Sequence, residues 1–202
     1  GSVGKTSTKE TIASVLAQKY KVKKTQGNFN NEIGLPLTVF TLEESDEIAV
    51  LEMGISDFGE MTRLTAIACP DVCVITNIGW CHLENLKTRD GILKAKTEIF
   101  KSMNPDGTVI LNGDDDKLVT IKDVYEKKPV FFGIENKSGI YAENIVNNGL
   151  EGMTARICNV NTADNINDFD VHIPVAGIHM VYTSMAAAAV GAEFGLTSEQ
   201  IT

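Results

Sequence analysis

No apolar run in this 202-residue chain approaches the ~20 residues that a membrane-spanning helix needs. No secretory signal peptide is visible either. The four cysteines, Cys69, Cys73, Cys81 and Cys158, form no C-x-x-C pair and no Cys/His set with zinc-finger spacing. That excludes a zinc ribbon and a thioredoxin-type redox centre. We expect reduced, mostly buried thiols in a cytoplasmic protein. No basic stripe is present. The four lysines between Lys19 and Lys24 straddle a predicted helix end and strand start, as a solvated face would. With a formal net charge of −9, the chain is a poor partner for nucleic acid. Nucleotides are not excluded, because local backbone dipoles hold phosphate whatever the global charge. Internal repeats and low-complexity tracts are absent as well. At 43% hydrophobic and 22% charged residues, the composition is that of a globular protein.

What the chain does have begins at its first residue. Gly1-Ser2-Val3-Gly4-Lys5-Thr6-Ser7 reads as the end of a phosphate-binding loop. A glycine-rich turn lets backbone N–H groups crowd around phosphate oxygens, a lysine reaches the β- and γ-phosphates, and a hydroxyl ligates magnesium. The helix predicted over 7–20 adds the partial positive charge of its N-terminus. The match covers only part of the eight-residue pattern, and an ordinary helix start after a Gly-Ser pair is the alternative reading.

Short apolar runs alternate with helical stretches in the first half. Strands are expected over 21–25, 47–52, 72–76 and 108–111, and helices over 61–68 and 89–103. Pro36 precedes or opens a short helix or extended run to Leu42. Continuous apolar strands separated by helices predict a parallel sheet covered on both faces. From about Pro129 short alternating runs with Gly and Asn turns (130–134, 139–146, 153–160 and 169–175) suggest an antiparallel meander. A helix over 179–194 closes the chain. The expected fold class is therefore α/β: a P-loop-type, mostly parallel sheet with helices on both faces, plus a small antiparallel sheet in the second half. Residues 1–128 would form the parallel part, 129–176 the meander and 177–202 the closing helix.

In parallel α/β sheets ligands bind beyond the carboxyl ends of strands. Three polar features fall at such places. Asn28, Asn30 and Asn31 follow the first strand, Glu52 ends the second, and Asn77 to Glu84 follow the third. Glu52 stands where a magnesium ligand is needed, or is a carboxylate at the edge of a sheet in water. His82 is either structural or part of a metal site; magnesium prefers oxygen ligands. Lys96 lies on a helix with Lys94 and Lys101, where lysines are usually solvated. If buried, its amine would have a lowered pKa and could take up CO₂ as a carbamate.

Five segments in order carry a resemblance. They are Gly1–Ser7, Gly27-Asn28-Phe29-Asn30-Asn31-Glu32-Ile33-Gly34-Leu35-Pro36, Leu51-Glu52-Met53-Gly54, Asn77 with His82-Leu83-Glu84, and Ala95-Lys96-Thr97-Glu98-Ile99-Phe100. Together they resemble the central ATPase domain of the Mur ligases, from residue 1 to about 115 and again over 177–189. The asparagine-rich loop most resembles the branch that adds D-alanyl-D-alanine to UDP-N-acetylmuramoyl-tripeptide. The resemblance implies ATP-dependent amide formation through an acyl phosphate, with two Mg²⁺ ions. It implies that residues Gly1 to Ser7 and Asn77 bind nucleotide, with Lys5 on the β/γ-phosphates. Thr6 and Glu52 would ligate one metal. His82 and a carbamylated Lys96 would hold the second. Asn28, Asn30 and Asn31 would face the UDP-MurNAc-peptide, and D-Ala-D-Ala would be the incoming amine. Gly177-Ile178-His179 through Thr183 resembles a segment that contacts adenine. The family's Asn position there holds Thr183, whose hydroxyl offers one hydrogen bond where a carboxamide offers a pair. The implied protein is a monomer whose flanking family domains lie outside these residues, so the isolated chain is expected to be inactive or a weak binder. Folylpolyglutamate synthetase shares this plan and is an alternative. So is a non-catalytic nucleotide switch, although Asn136-Lys137 lacks the aspartate of guanine recognition.

Overall fold

The computed structural model describes residues 1–159 and 165–202, so the strand end expected at Val160 lies outside the described residues. The first half contains α1 (Lys5–Leu16), β1 (Val22–Lys24), α2 (Gly34–Val39), β2 (Ile48–Val50), α3 (Glu60–Ala68) and β3 (Val72–Ile75). Next come α4 (Leu83–Leu86), α5 (Arg89–Thr97) with a 3₁₀ turn over Glu98–Ser102, and β4 (Thr108–Asn112). The second half contains β5 (Val130–Gly133), β6 (Ile140–Asn147), β7 (Met153–Asn159), β8 (Phe169–Ile173), α6 (Ile178–Glu193) and α7 (Ser198–Ile201).

Two sheets result. β1 and β2 pair in parallel as a small sheet, and β3 to β8 form a six-stranded sheet in sequence order. Within the larger sheet β3, β4, β5 and β6 are parallel neighbours, and only the β6–β7 and β7–β8 pairs are antiparallel. The second half therefore does not form an antiparallel sheet of its own, as its alternation suggested. It extends the parallel sheet, and the small separate sheet is parallel. The reason lies in the turn after β5. Asp114, at the end of β4, accepts from the N–H groups of Ile134 (2.6 Å), Glu135 (3.2 Å) and Asn136 (2.6 Å). A carboxylate 20 residues upstream shapes this connection, so the local turn residues do not reveal the direction of the strand that follows.

Helices cover both faces. On β4, Ile110 joins a core with α1 and α6, while Val109 and Leu111 join a core with α3 and α5. The continuous apolar run is thus a strand buried on both sides. α6 is buried almost all round through Ala186, Ala187, Ala188 and Ala189, which lets α1 approach closely. Gly191 continues that contact, since a Cβ there would stand 3.1 Å from Val15 Cγ1. Pro36 is tolerated because it sits in the first turn of α2, where its missing N–H has no intrahelical partner.

Asp114 also accepts from the Tyr182 hydroxyl (2.7 Å), which joins α6 to the ends of β4 and β5. Burial pushes its pKa up, but the Ile134, Tyr182, Asn136 and Glu135 donors outweigh that and hold the carboxyl below the usual range. Asp114→Ala should destabilise the protein by about 2–3 kcal/mol in urea denaturation, because several donors lose one acceptor. A depressed carboxyl contributes fully above the ordinary aspartate pKa of about 4, and loses that contribution as pH falls through its lower folded-state value. A wild-type advantage unchanged between about pH 7 and pH 2 would contradict this assignment.

Candidate functional site

α1 starts at Lys5 after Gly4, whose φ of +77° is a left-handed turn that a side chain would strain. No side chain caps the helix, which leaves its first amides to water or to an anion. The preceding loop is pinned to the end of β3. Asn77 Oδ1 accepts from the N–H of Ser2 (2.8 Å) and Val3 (3.0 Å), and Asn77 Nδ2 donates to the Val3 carbonyl (3.1 Å). Thr76 Oγ1 donates to the same carbonyl (2.9 Å), and the Gly79 N–H donates to Ser2 Oγ (2.9 Å). Asn77 thus serves the loop as a brace.

Two lysines converge below it. Lys5 Nζ and Lys96 Nζ both donate to the Gly1 carbonyl oxygen, at 3.3 and 3.0 Å. Neither has an ion-pair partner among the described residues. Lys96 is only 5% exposed, so the reading of a solvated helical lysine fails. Burial pushes its pKa down to about 8; Cys81 works against that shift and the Lys5 charge adds to it.

Glu52 follows β2 and is buried. Asn30 Nδ2 donates to its Oε1 (2.7 Å), while Oε2 is buried with no hydrogen-bond partner. Asn31 Oδ1 accepts from the N–H of Ile33 (3.1 Å) and Gly34 (2.8 Å), which starts α2. A cavity of about 290 Å³ brings together Lys5, Lys96, Asn30, Asn31, His82 and Cys81. His82, in a left-handed conformation (φ 51°), caps α4 at its rim. A second cavity of about 320 Å³ lies between β2 and β3 and shares Gly1, Lys5 and Lys96 with the first; Glu52 lines it. A buried carboxylate oxygen without a donor fits an incoming cation. Among the described residues, no group of three His, Cys, Asp or Glu could hold a metal alone. Any magnesium ligated here would take most of its oxygens from phosphate and water.

Other expected residues stand apart. Asn28 and Thr6 are exposed and line neither cavity. The His179 ring stands by Gly177, where a Cβ would lie 2.5 Å from its Cε1. Thr183 is buried, and its hydroxyl donates back to the His179 carbonyl (3.0 Å). Sequence reasoning missed Lys9, Thr25, Asp114 and Tyr182. The one available signal was for Lys9, which stands four residues after Lys5 on the same helix face.

Residues 1–191 match the Mur ligase middle domain. The chain belongs to the Mur ligase family. It is 43% identical over 199 residues to the UDP-N-acetylmuramoyl-tripeptide–D-alanyl-D-alanine ligase of Bacillus subtilis, covering 98% of this chain and 41% of that protein. The MurF structure from Acinetobacter baumannii superposes with a TM-score of 0.89 at 30% identity, over 100% of this chain and 43% of that one. MurF from Thermotoga maritima, solved in complex with ADP, gives 0.85 at 32% identity, over 98% and 44%. This Mur ligase chain thus spans about two fifths of the length of the relatives it matches.

Lys96 gives the middle domain a measurable signature. After reductive ¹³C-methylation its resonance should titrate with a midpoint near 8, against about 10.5 for exposed lysines. A midpoint above about 10 would refute the burial described here. Because its folded-state value lies below the unfolded one, the burial costs stability at neutral pH, and that cost disappears as pH rises past the unfolded value.

Proposed function

We propose that this chain is the ATP-binding centre of a ligase that joins D-alanyl-D-alanine to UDP-N-acetylmuramoyl-tripeptide. Residues 1–202 would form one domain of a longer, cytoplasmic, monomeric enzyme, with 1–128, 129–176 and 177–202 as its parts. The observation that carries the reading is the convergence of two unpaired ammonium groups on the Gly1 carbonyl, beside the open first turn of α1. Such a site suits a highly charged anion. The asparagine-rich loop and the 43% identity to the Bacillus subtilis ligase favour this branch over a folylpolyglutamate synthetase.

The difficulty of the reaction is electrostatic, since a peptide carboxylate must approach a triphosphate of the same sign. Lys5 lowers that repulsion at the β/γ-phosphates, and the α1 amides hold the phosphate oxygens in line. When bound, magnesium would neutralise further charge, held by Thr6 and Glu52 at one position and by His82 and Lys96 at another. Lys96 is suited to the second position as a carbamate. Its neutral amine adds to the carbon of CO₂, an N–C bond forms, and a proton leaves to solvent. The carboxylate then attacks the γ-phosphorus and ADP leaves. The amine of D-Ala-D-Ala next attacks the acyl phosphate carbon, phosphate departs, and the amine proton leaves with it or to solvent. Asn31 and Asn30 would border the peptide side of the cavity, and His179 with Thr183 would border adenine.

In the full-length protein, Lys5→Ala should abolish ATP binding by calorimetry; unchanged affinity would remove Lys5 from the role. Phosphate release should rise with UDP-MurNAc-tripeptide and D-Ala-D-Ala and not with a folate. The opposite pattern would favour the folate branch.

A further inference from the structure

Glu52 is held from two sides, at its backbone by Thr25 and at its carboxylate by Asn30. Thr25, fully buried at the end of β1, accepts the Glu52 N–H on its Oγ1 (2.9 Å) and donates its own N–H to the Val50 carbonyl (3.0 Å). Lys9, 4% exposed, donates Nζ to the Thr25 carbonyl (2.7 Å). It also pairs with Glu10 (2.8 Å), which in turn pairs with Lys24 of β1. Asn30 closes the far side: its amide donates to Glu52 Oε1 (2.7 Å), and its carbonyl accepts the Gly54 N–H (2.7 Å).

We infer that Lys9, Thr25 and Asn30 are positioning residues that present a single oxygen of Glu52 to a divalent cation and tie it to the phosphate helix. The inference rests on the proposed metal role of Glu52. Three features carry it. First, a buried lysine is a costly way to fill space, since a methionine of similar length needs no partner. A lysine here gains one thing a methionine cannot, a charge-assisted bond to the carbonyl at the point where β1 turns into the asparagine loop. Second, Lys9 lies one turn after Lys5 on the same face of α1. The helix that begins the phosphate loop is therefore fastened directly to the strand end that carries the carboxylate. Third, Asn30 occupies Oε1 and leaves Oε2 buried and unpartnered. Of the side-chain nitrogen and oxygen atoms among the described residues, Oε2 alone is buried in that state. The clamp thus fixes which oxygen is free and prevents the carboxyl from turning to satisfy both.

Supporting groups around a metal ligand commonly change metal affinity by about 10- to 100-fold when removed. The test measures Mn²⁺ binding to the full-length protein with ADP, by electron paramagnetic resonance, and ADP binding alone in chelator. Thr25→Val and Lys9→Met should each weaken Mn²⁺ binding about tenfold while metal-free ADP affinity stays unchanged, and Thr25→Ser should restore it. Glu52→Gln separates the two readings. If Glu52→Gln leaves Mn²⁺ affinity intact, the metal role of Glu52 fails. If Glu52→Gln weakens it and Thr25→Val does not, Glu52 binds metal and the positioning inference is overturned. Equal loss of metal-free ADP affinity in Thr25→Val would also overturn it, as would failure of Thr25→Ser to recover. Should Lys9→Met not fold, the Thr25 pair decides.

Discussion

The side chain of Asn77 carries the geometry of the site. It bonds two consecutive residues of the Gly1–Ser7 loop at both faces of one carboxamide, and so welds the start of α1 to the end of β3. Without that weld, Gly4 would leave the loop free to take many conformations, because a glycine turn restricts little by itself. With it, Lys5 and Lys96 meet the same carbonyl oxygen. Burial is the main cause of the lowered pKa of Lys96, and the neighbouring Lys5 charge adds to it.

Buried charge at the site is balanced by very regular packing behind it. Ala186 to Ala189 make α6 thin enough to sit tightly against α1 and the sheet. That contact needs no polar partner and is rigid. The polar elements are concentrated at the carboxyl ends of β1 to β4, where the strands stop and their backbone groups become available. The division is physical: the helix-covered faces hold the fold, and the strand ends hold the chemistry.

How much of this was legible depended on how far each interaction reaches along the chain. The Gly1–Ser7 loop and the buried runs before Glu52 and Asn77 were readable because backbone turn, lysine and strand are local signals. The asparagine loop was recognisable, but the partner of Asn30 was not, since Glu52 stands 22 residues away and either side chain alone suggests a ligand. Lys9 offered only its spacing from Lys5 as a signal, because a lysine in a polar helix looks solvated until the sheet end that covers it is known. The direction of β5 and β6 was misread for a similar reason. Asn112-Gly113-Asp114 looks like a turn, and nothing nearby shows that Asp114 organises a connection 20 residues on. Thr183 was readable as a departure from a motif, while its bond to the His179 carbonyl requires helix geometry.

The break between the two sheets has a consequence of its own. β2 and β3 face a common cavity, and neither has a ladder partner on that side among the described residues. Glu52 stands on one bank of this gap, while Asn77 and Lys96 belong to the other. α1 spans it, braced to the far bank by Asn77 and to the near bank by Lys9. Open strand edges accept further strands readily. The spacing between the Glu52 carboxylate and the two lysines therefore follows the width of the gap, which Glu52, Lys5 and Lys96 themselves line.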